Sequence, residues 1–467
     1  MINYKTFSIL LLLIGLCNIS IAQDRYAVKY KYKPQETYSL EQPGEFLTQK
    51  AIDRRIREKI AFDSTDLPVS EKYIRQIQEQ VDQIQYHSKW FNSSIVVATS
   101  DQVAALEALD FVDNVELVAR GFYDDSHSAR KESFLSPWRL RLKKRERAYE
   151  FQNELLGIPD MHQEGFTGKG ITIAVFDGGF LNVEKIPALR HLLENDRILA
   201  TRDFVLPGSD NVFRTDTHGT GSLSLMAAND EGSLISGAYN SNFILCITED
   251  VRSEFRVEEY NWVRAAEFSD SLGVDIINSS LGYNVFNDPE MNYSKGDLDG
   301  KTALITRGAT RAAEKGILVV TSAGNEGGGN WKTVTAPADA EGILSIGSVT
   351  NNLNKSSFSS TGPTADGRIK PELTTLGSSV SLWRSTTGVG TASGTSFSAP
   401  QVAALAAGLW EAMPHLTKKQ LAELMISTAS LANDPDNDFG YGIPNFSRAF
   451  YGAVKEVAEK EEEKIVQ

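Results

Sequence analysis

The sequence has two cysteines among 467 residues, and one of them, Cys17, lies in the apolar opening segment. Removal of that segment leaves Cys246 alone in Phe243-Ile244-Leu245-Cys246-Ile247. No intramolecular disulfide is then available, and a small buried apolar side chain is the expected role. Positive charge is also in short supply: 47 Lys and Arg stand against 61 Asp and Glu, a formal net charge of -14. Such a field repels phosphate backbones, and no basic-aromatic patch offsets it, which argues against nucleic acid as the main partner. Past the first residues there is no long apolar run, and a mean hydropathy of -0.26 excludes a polytopic membrane protein. A Gly-x-Gly-x-x-Gly turn is missing too. Asp177-Gly178-Gly179-Phe180 stands where a dinucleotide-binding fold would carry it.

What is present begins with an export signal. Residues 1–22 have Lys5 near the start, an apolar core from Phe7 to Leu16, and the small-x-small ending Ser20-Ile21-Ala22. The core is too short to span a bilayer, so a removed signal peptide is expected, giving a secreted or periplasmic protein without stable membrane insertion. Leu16 before Cys17 disfavours lipid anchoring, because that signal wants a small residue there.

Strand-like Tyr26-Ala27-Val28-Lys29-Tyr30, Ser94 to Ala98 and Val112 to Val118 alternate with helical stretches at Arg54 to Lys59, Ser70 to Gln83 and from a Ser100 cap to Leu109. They predict a small α+β unit over residues 23–120. His87 and Trp90 in it read as structural, since no second metal-type residue stands at a suitable spacing. Residues 121–154 are polar, poor in pattern and carry the basic run Arg139-Leu140-Arg141-Leu142-Lys143-Lys144-Arg145. An exposed linker is expected there. From Gly170 onward, apolar runs near 171–176, 243–247, 274–278, 316–320 and 343–347 read as strands buried on both faces. Helical segments at 219–228, 257–271, 304–315, 396–413 and 417–429 lie between and after them, so residues 155–453 predict an α/β unit with a parallel sheet. A charged tail, 454–467, follows.

Active residues of such sheets gather where strands end at the carboxyl edge. Asp177 ends the first strand, His218 opens a helix in Asp216-Thr217-His218-Gly219-Thr220-Gly221, and Asn325 follows a strand in Ser322-Ala323-Gly324-Asn325-Glu326-Gly327. Ser396 lies in Gly394-Thr395-Ser396-Phe397-Ser398-Ala399-Pro400, just ahead of an apolar helical run. There the unpaired N–H groups and the helix dipole favour an oxyanion. Each residue has a plain structural alternative: a turn acid, a capping-region histidine, a turn asparagine, an N-cap serine. Together they supply an acid, a base, an amide donor and a nucleophile on one sheet edge.

Asp177, His218 and Ser396, in that order and each inside a glycine-flanked motif, resemble the subtilisin-like serine proteases, or subtilases (peptidase family S8). The resemblance covers about Gly157 to Ala453 and extends to Ser280-Leu281-Gly282, Phe358-Ser359-Ser360-Thr361-Gly362-Pro363 and Gly440-Tyr441-Gly442-Ile443-Pro444. Two departures stand out: Gly179, where many members have Thr or Ser, and an insertion from Tyr283 to Thr302. The resemblance implies a subtilisin-like parallel sheet flanked by helices and a serine endopeptidase with Asp177, His218 and Ser396 as triad and Asn325 in the oxyanion hole. Ser280, Leu281, Gly282, Ala323 and Gly324 would bind protein or peptide substrates, with an open apolar pocket for the side chain before the scissile bond. The N-terminal unit takes the place of an inhibitory propeptide, expected to be cut by Ser396 between about Arg120 and Leu155. A monomer is expected, and no metal. Calcium supports many subtilases, but Asp434, Asp436 and Asp438 start an EF-hand-like pattern that Phe439 breaks where glycine is required, so a polar turn is expected. The rival reading is a catalytically silent binding protein on the same fold.

Overall fold

The structure, a computed structural model, describes residues 24–121 and 149–455. The expected leader, the basic run and the end of the tail lie outside them. No helix among the described residues is long and apolar enough to cross a membrane.

The N-terminal unit contains the strands β1 (Arg25–Tyr30), β2 (Gln83–Ser88), β3 (Ser93–Val97) and β4 (Val112–Ala119). They pair antiparallel in the order β2-β3-β1-β4. Helices α1 (Gln49–Glu58), α2 (Glu71–Gln78) and α3 (Ser100–Glu107) complete the unit. Strand β2 was not expected; Gln83-Ile84-Gln85-Tyr86-His87-Ser88 is too polar to announce itself, and helix α2 stops short of it. The α3 cap is Thr99, not Ser100: Thr99 and Gln102 form a reciprocal capping box. His87 Nδ1 bonds Ser94 Oγ at 2.7 Å and Trp90 is buried, both structural as expected.

The main sheet of the larger unit has seven strands: β5 (Thr172–Asp177), β6 (Ile198–Asp203), β7 (Asn242–Ile247), β8 (Ile276–Ser279), β9 (Leu318–Ser322), β10 (Leu344–Val349) and β11 (Leu373–Leu376). All run parallel in the order β11-β10-β9-β8-β5-β7-β6. Ile173 and Val175 of β5 pack in one apolar layer with Val402 and Ala406 of helix α7 (Ala399–Ala412), while Ala174 and Phe176 pack in the other. That second layer holds Trp262 and Val263 of α5 (Val257–Ser271) and Ala309 of α6 (Leu304–Glu314). Burial on both faces is why these strands read as continuous apolar runs. The two outer strands, β6 and β11, escaped the sequence reading because they carry polar side chains at the sheet margins. Cys246 is fully buried and free, and burial pushes its thiol up.

The catalytic-type unit begins earlier than expected. Residues 149–154, read as linker, enter the helix Glu150–Leu156, and Gln152 exchanges two hydrogen bonds with the Ser381 backbone, at 2.9 and 3.2 Å. A cut among these residues would have to unfold this helix. The 283–302 insertion is no loose loop either: Tyr283, Phe286, Met291, Tyr293 and Leu298 are all buried in the second layer.

Helix α1 joins the two units by capping the C-terminal ends of α5 and α6. The Arg54 guanidinium donates to Val274 O, to Lys315 O at 3.2 Å, and to both the carbonyl (3.1 Å) and carboxylate of Asp270. Arg55 donates to Lys315 O at 2.6 Å and to Asp66 and Asp270 carboxylates at 3.0 Å each. Cations at helix C-termini meet both free carbonyls and the negative end of the dipole. Gly273 makes the approach feasible, because a Cβ there would stand 2.7 Å from Ala51 N. From the end of β2 and the turn after it, Ser88 Oγ, Lys89 N and Trp90 N all donate to Glu267 of α5, at 2.6, 3.0 and 2.9 Å.

Candidate active site

Asp177 closes β5 and is buried at the carboxyl edge. One of its oxygens accepts Gly178 N–H at 2.8 Å, the other the Ser222 hydroxyl at 3.2 Å. His218 is the first residue of α4 (His218–Ala227), and its N–H donates to the Asp216 carboxylate at 2.8 Å. The helix can meet the strand end because residue 219 is glycine: a Cβ there would lie 2.8 Å from Asp177 Cβ and 2.5 Å from Gly179 O. As a result His218 Nδ1 sits 2.9 Å from each Asp177 carboxylate oxygen. Burial works against the imidazolium, but the Asp177 charge and hydrogen bond outweigh it, so His218 is held above the ordinary histidine range.

Ser396 does not start the helix as expected. It occupies a single tight turn, Thr395–Phe397, and α7 begins at Ala399. Its hydroxyl is buried and has no hydrogen-bond partner among the described residues. The His218 ring lies 5.1 Å, centroid to centroid, from that of Phe397, so the imidazole rests on the Ser396 turn. Asn325 comes from the turn after β9. Its amide oxygen accepts from Thr395 N at 2.9 Å and Thr395 Oγ1 at 3.0 Å, which fixes the side chain and turns its NH2 the other way. Measured from where a Cβ on Gly394 would stand, Ser396 Oγ is 2.8 Å and Asn325 Nδ2 3.5 Å away. Acid, imidazole, hydroxyl and amide donor therefore converge.

Ser280-Leu281-Gly282 continues from β8 and Ala323-Gly324 from β9, on neighbouring strands. The Ser280 side chain is not turned toward a ligand: its hydroxyl donates to Ser396 O at 2.8 Å and holds the nucleophile turn. Thr335 lies between the two segments: its hydroxyl is 2.2 Å from where a Cβ on Gly282 would stand and 2.8 Å from where one on Gly324 would, so both positions need glycine. Asp436, in the EF-hand-like stretch, accepts the N–H groups of Asp438 and Phe439 at 2.8 and 2.7 Å, as a polar turn does.

Three residues at the site went unread in the sequence. Ser222 stands at i+4 from His218, and that helical spacing was the available signal. Arg384, which donates to Thr217 O and Oγ1 at 3.2 Å and lies 3.5 Å from Asp216, arrives on the hairpin Val380–Ser385/Gly388–Ala392 and has no local signal. Thr335 has none either.

Comparison with known proteins agrees with this arrangement. Residues 168–442 match the Subtilase family (Peptidase_S8), and residues 25–133 match the Peptidase S8 propeptide domain, Bacteroidota. Subtilisin E of Bacillus subtilis is 29% identical over 289 residues, 61% of this chain and 66% of its own length. Serine protease AprX of the same species is 27% identical over 317 residues, covering 61% and 67%. The chain thus spans about two thirds of the length of these curated relatives. The solved structure of the Clostridium perfringens CspB protease shares the fold, with a TM-score of 0.55 at 19% identity over 65% of this chain and 99% of that one. With the family match extending over more than half of its residues, the chain belongs to the subtilase family and carries a propeptide domain of the same family ahead of the sheet.

Proposed function

We propose that the protein is an exported serine endopeptidase made as a zymogen. The observation that carries this reading is the convergence of the Asp177–His218 pair with the unpartnered Ser396 hydroxyl and the oriented Asn325 amide. Ser396 Oγ attacks the scissile carbonyl as His218 takes its proton. The same imidazolium then returns that proton to the leaving amine, and water repeats the cycle on the acyl-enzyme. Asp177 keeps Nδ1 protonated and stabilises the imidazolium, as in the triad that the subtilisin case illustrates. The Asn325 NH2 and the Ser396 N–H take the oxyanion. An extended peptide adds as a strand beside Ser280 to Gly282, its acyl side running along that segment.

The N-terminal unit acts as an intramolecular inhibitor, and its docking through α1 and β2 onto α5 and α6 supports that role. Self-cleavage falls between Gly121 and Tyr149. The mature enzyme is a monomer released outside the cytoplasm. Treating the wild-type chain and Ser396→Ala with a serine-reactive phosphonate tests the reading. Label on Ser396 and hydrolysis of a peptide pool are expected from wild type, and neither from the variant. Equal hydrolysis by a contaminant-free Ser396→Ala protein overturns it.

A further inference from the structure

Helix α4 is buried along its whole length and carries two serines, Ser222 and Ser224. A serine inside a helix ordinarily returns its proton to a carbonyl three or four residues back. Ser224 does so, donating to Gly221 O at 2.8 Å. Ser222 behaves differently. It stands 3.3 Å from the equivalent carbonyl, His218 O, and 3.2 Å from Asp177 Oδ2. One proton cannot serve both acceptors, and an ionised carboxylate takes the stronger hydrogen bond. The Ser222 hydroxyl therefore belongs to Asp177. With the Gly178 N–H at 2.8 Å on Oδ1 and His218 Nδ1 at 2.9 Å from both oxygens, it completes the donor set of that carboxylate among the described residues.

The hydroxyl is itself held from the other side. Ser222 Oγ lies 3.5 Å from Ser280 Oγ, whose own proton goes to Ser396 O at 2.8 Å and whose oxygen accepts from Asn278 Nδ2 of β8 at 3.2 Å. Ser222, Ser280 and Asn278 are all buried, Ser222 and Asn278 completely. Each polar contact there acts at low local dielectric, where a lost partner is felt most. Ser222 is thus wedged between the triad carboxylate and the residue that holds the nucleophile turn. Acid and nucleophile are connected by a path that does not pass through the imidazole.

We propose that Ser222 is a positioning residue of the triad: its hydroxyl fixes the Asp177 carboxylate against His218 and tempers the negative charge presented to the imidazole. It rests on the endopeptidase reading above. Without this hydroxyl Asp177 keeps only the Gly178 N–H besides the imidazole. The carboxylate is then freer to turn away from Nδ1. Having lost a donor to its charged form, it is also more basic and draws harder on the Nδ1 proton.

The test compares Ser222→Ala, Ser222→Val and Ser222→Thr in enzyme matured from the full chain; the last two are alike in shape and differ in the hydroxyl. In Ser222→Ala and Ser222→Val, kcat on a peptide substrate is expected to fall about 10- to 100-fold, the range for one hydrogen bond to a charged group, with KM unchanged. The acid limb of kcat/KM should move up in both, because Asp216 and Arg384, the other charged groups beside His218, are untouched. Ser222→Thr should bring both readouts back toward wild type, which a mere packing role would not produce. The same substitutions in the Ser396→Ala chain, followed by denaturant unfolding, report on the fold. If the Val or Thr protein does not fold, Ser222→Ala decides by itself through its acid limb. A kcat within about twofold of wild type with an unmoved acid limb in Ser222→Ala overturns the proposal and leaves the hydroxyl a bond within α4. Equal losses in folded Ser222→Val and Ser222→Thr overturn it as well. Absence of both hydrolysis and phosphonate labelling in the wild type overturns the endopeptidase reading instead.

Discussion

The junction between propeptide unit and catalytic unit depends on one carboxylate, and Asp270→Asn tests how much. Asp270 is fully buried and pairs with Arg54, with Arg55 at 2.9 Å and with Lys89 at 3.6 Å. Of these, Arg54 and Arg55 come from α1 and are themselves buried. Burial alone would raise the Asp270 carboxyl, but Arg54, Lys89 and Arg55 overcome it and hold it below its ordinary value. Desolvation also draws Arg54 down to about 10. Amide for carboxylate leaves the buried Arg54 guanidinium without a paired carboxylate and Arg55 with Asp66 alone, while their bonds to Val274 O and Lys315 O persist. Breaking a buried pair from one side costs about 3 to 5 kcal/mol, which is roughly a 100- to 4,000-fold larger opening constant. Hydrogen exchange on the Ser396→Ala chain, which does not process itself, reads that constant from the amides of α1. Protection there should fall by that factor, whereas amides of β5 and β8 should keep theirs. Protection within about threefold of the parent would refute the assignment of the junction to this carboxylate. The pH sign follows. A depressed folded pKa means the contribution is present above the ordinary value of 3.8 and is lost as pH falls through the depressed one, so α1 should open in acid.

Asn325→Ala should lower kcat roughly 100- to 1,000-fold with little change in KM, because the amide matters when the oxyanion forms; a rise in KM alone would make it a ground-state contact. The acid limb of kcat/KM should lie above 6.5, since His218 must be neutral to act as base and Asp177 holds its pKa up. Asp177→Asn should move that limb down and Arg384→Gln should move it further up, because the Arg384 charge opposes the imidazolium; a pH profile unmoved by both substitutions removes His218 from the role. Glu259, buried under Tyr293, is pushed up to about 7 from 4.5 by burial. Its raised folded pKa takes stability away as pH climbs from 4.5 to 7, so Glu259→Gln should gain at most roughly 3 kcal/mol at pH 8, read by denaturant unfolding of the Ser396→Ala chain. No gain at pH 8 would show the carboxylate adequately solvated by its hydrogen bonds.

Much of the catalytic unit was legible because its determinants are local. Helix 257–271 was placed to the residue, and five buried strands within two residues or so, since a strand covered on both faces must be apolar throughout. Asp177, His218, Asn325 and Ser396 announced themselves through glycines where strands end and turns tighten. Local sequence could not show β2 or β6, whose half-buried faces carry no apolar run, or β11, whose buried Thr374 and Thr375 interrupt it. Nor could it show that the Ser280 hydroxyl holds the Ser396 turn, that Thr335 packs against Gly282 and Gly324, or that Tyr149 to Glu154 belongs to the second unit. The junction is the clearest case. Arg54 and Arg55 read only as part of a charged helical stretch, and 215 positions or more separate them from Asp270. Only folding brings the C-terminal carbonyls of α5 and α6 under α1 and excludes water there. Burial then turns two ordinary surface cations into the contacts that hold one unit on the other.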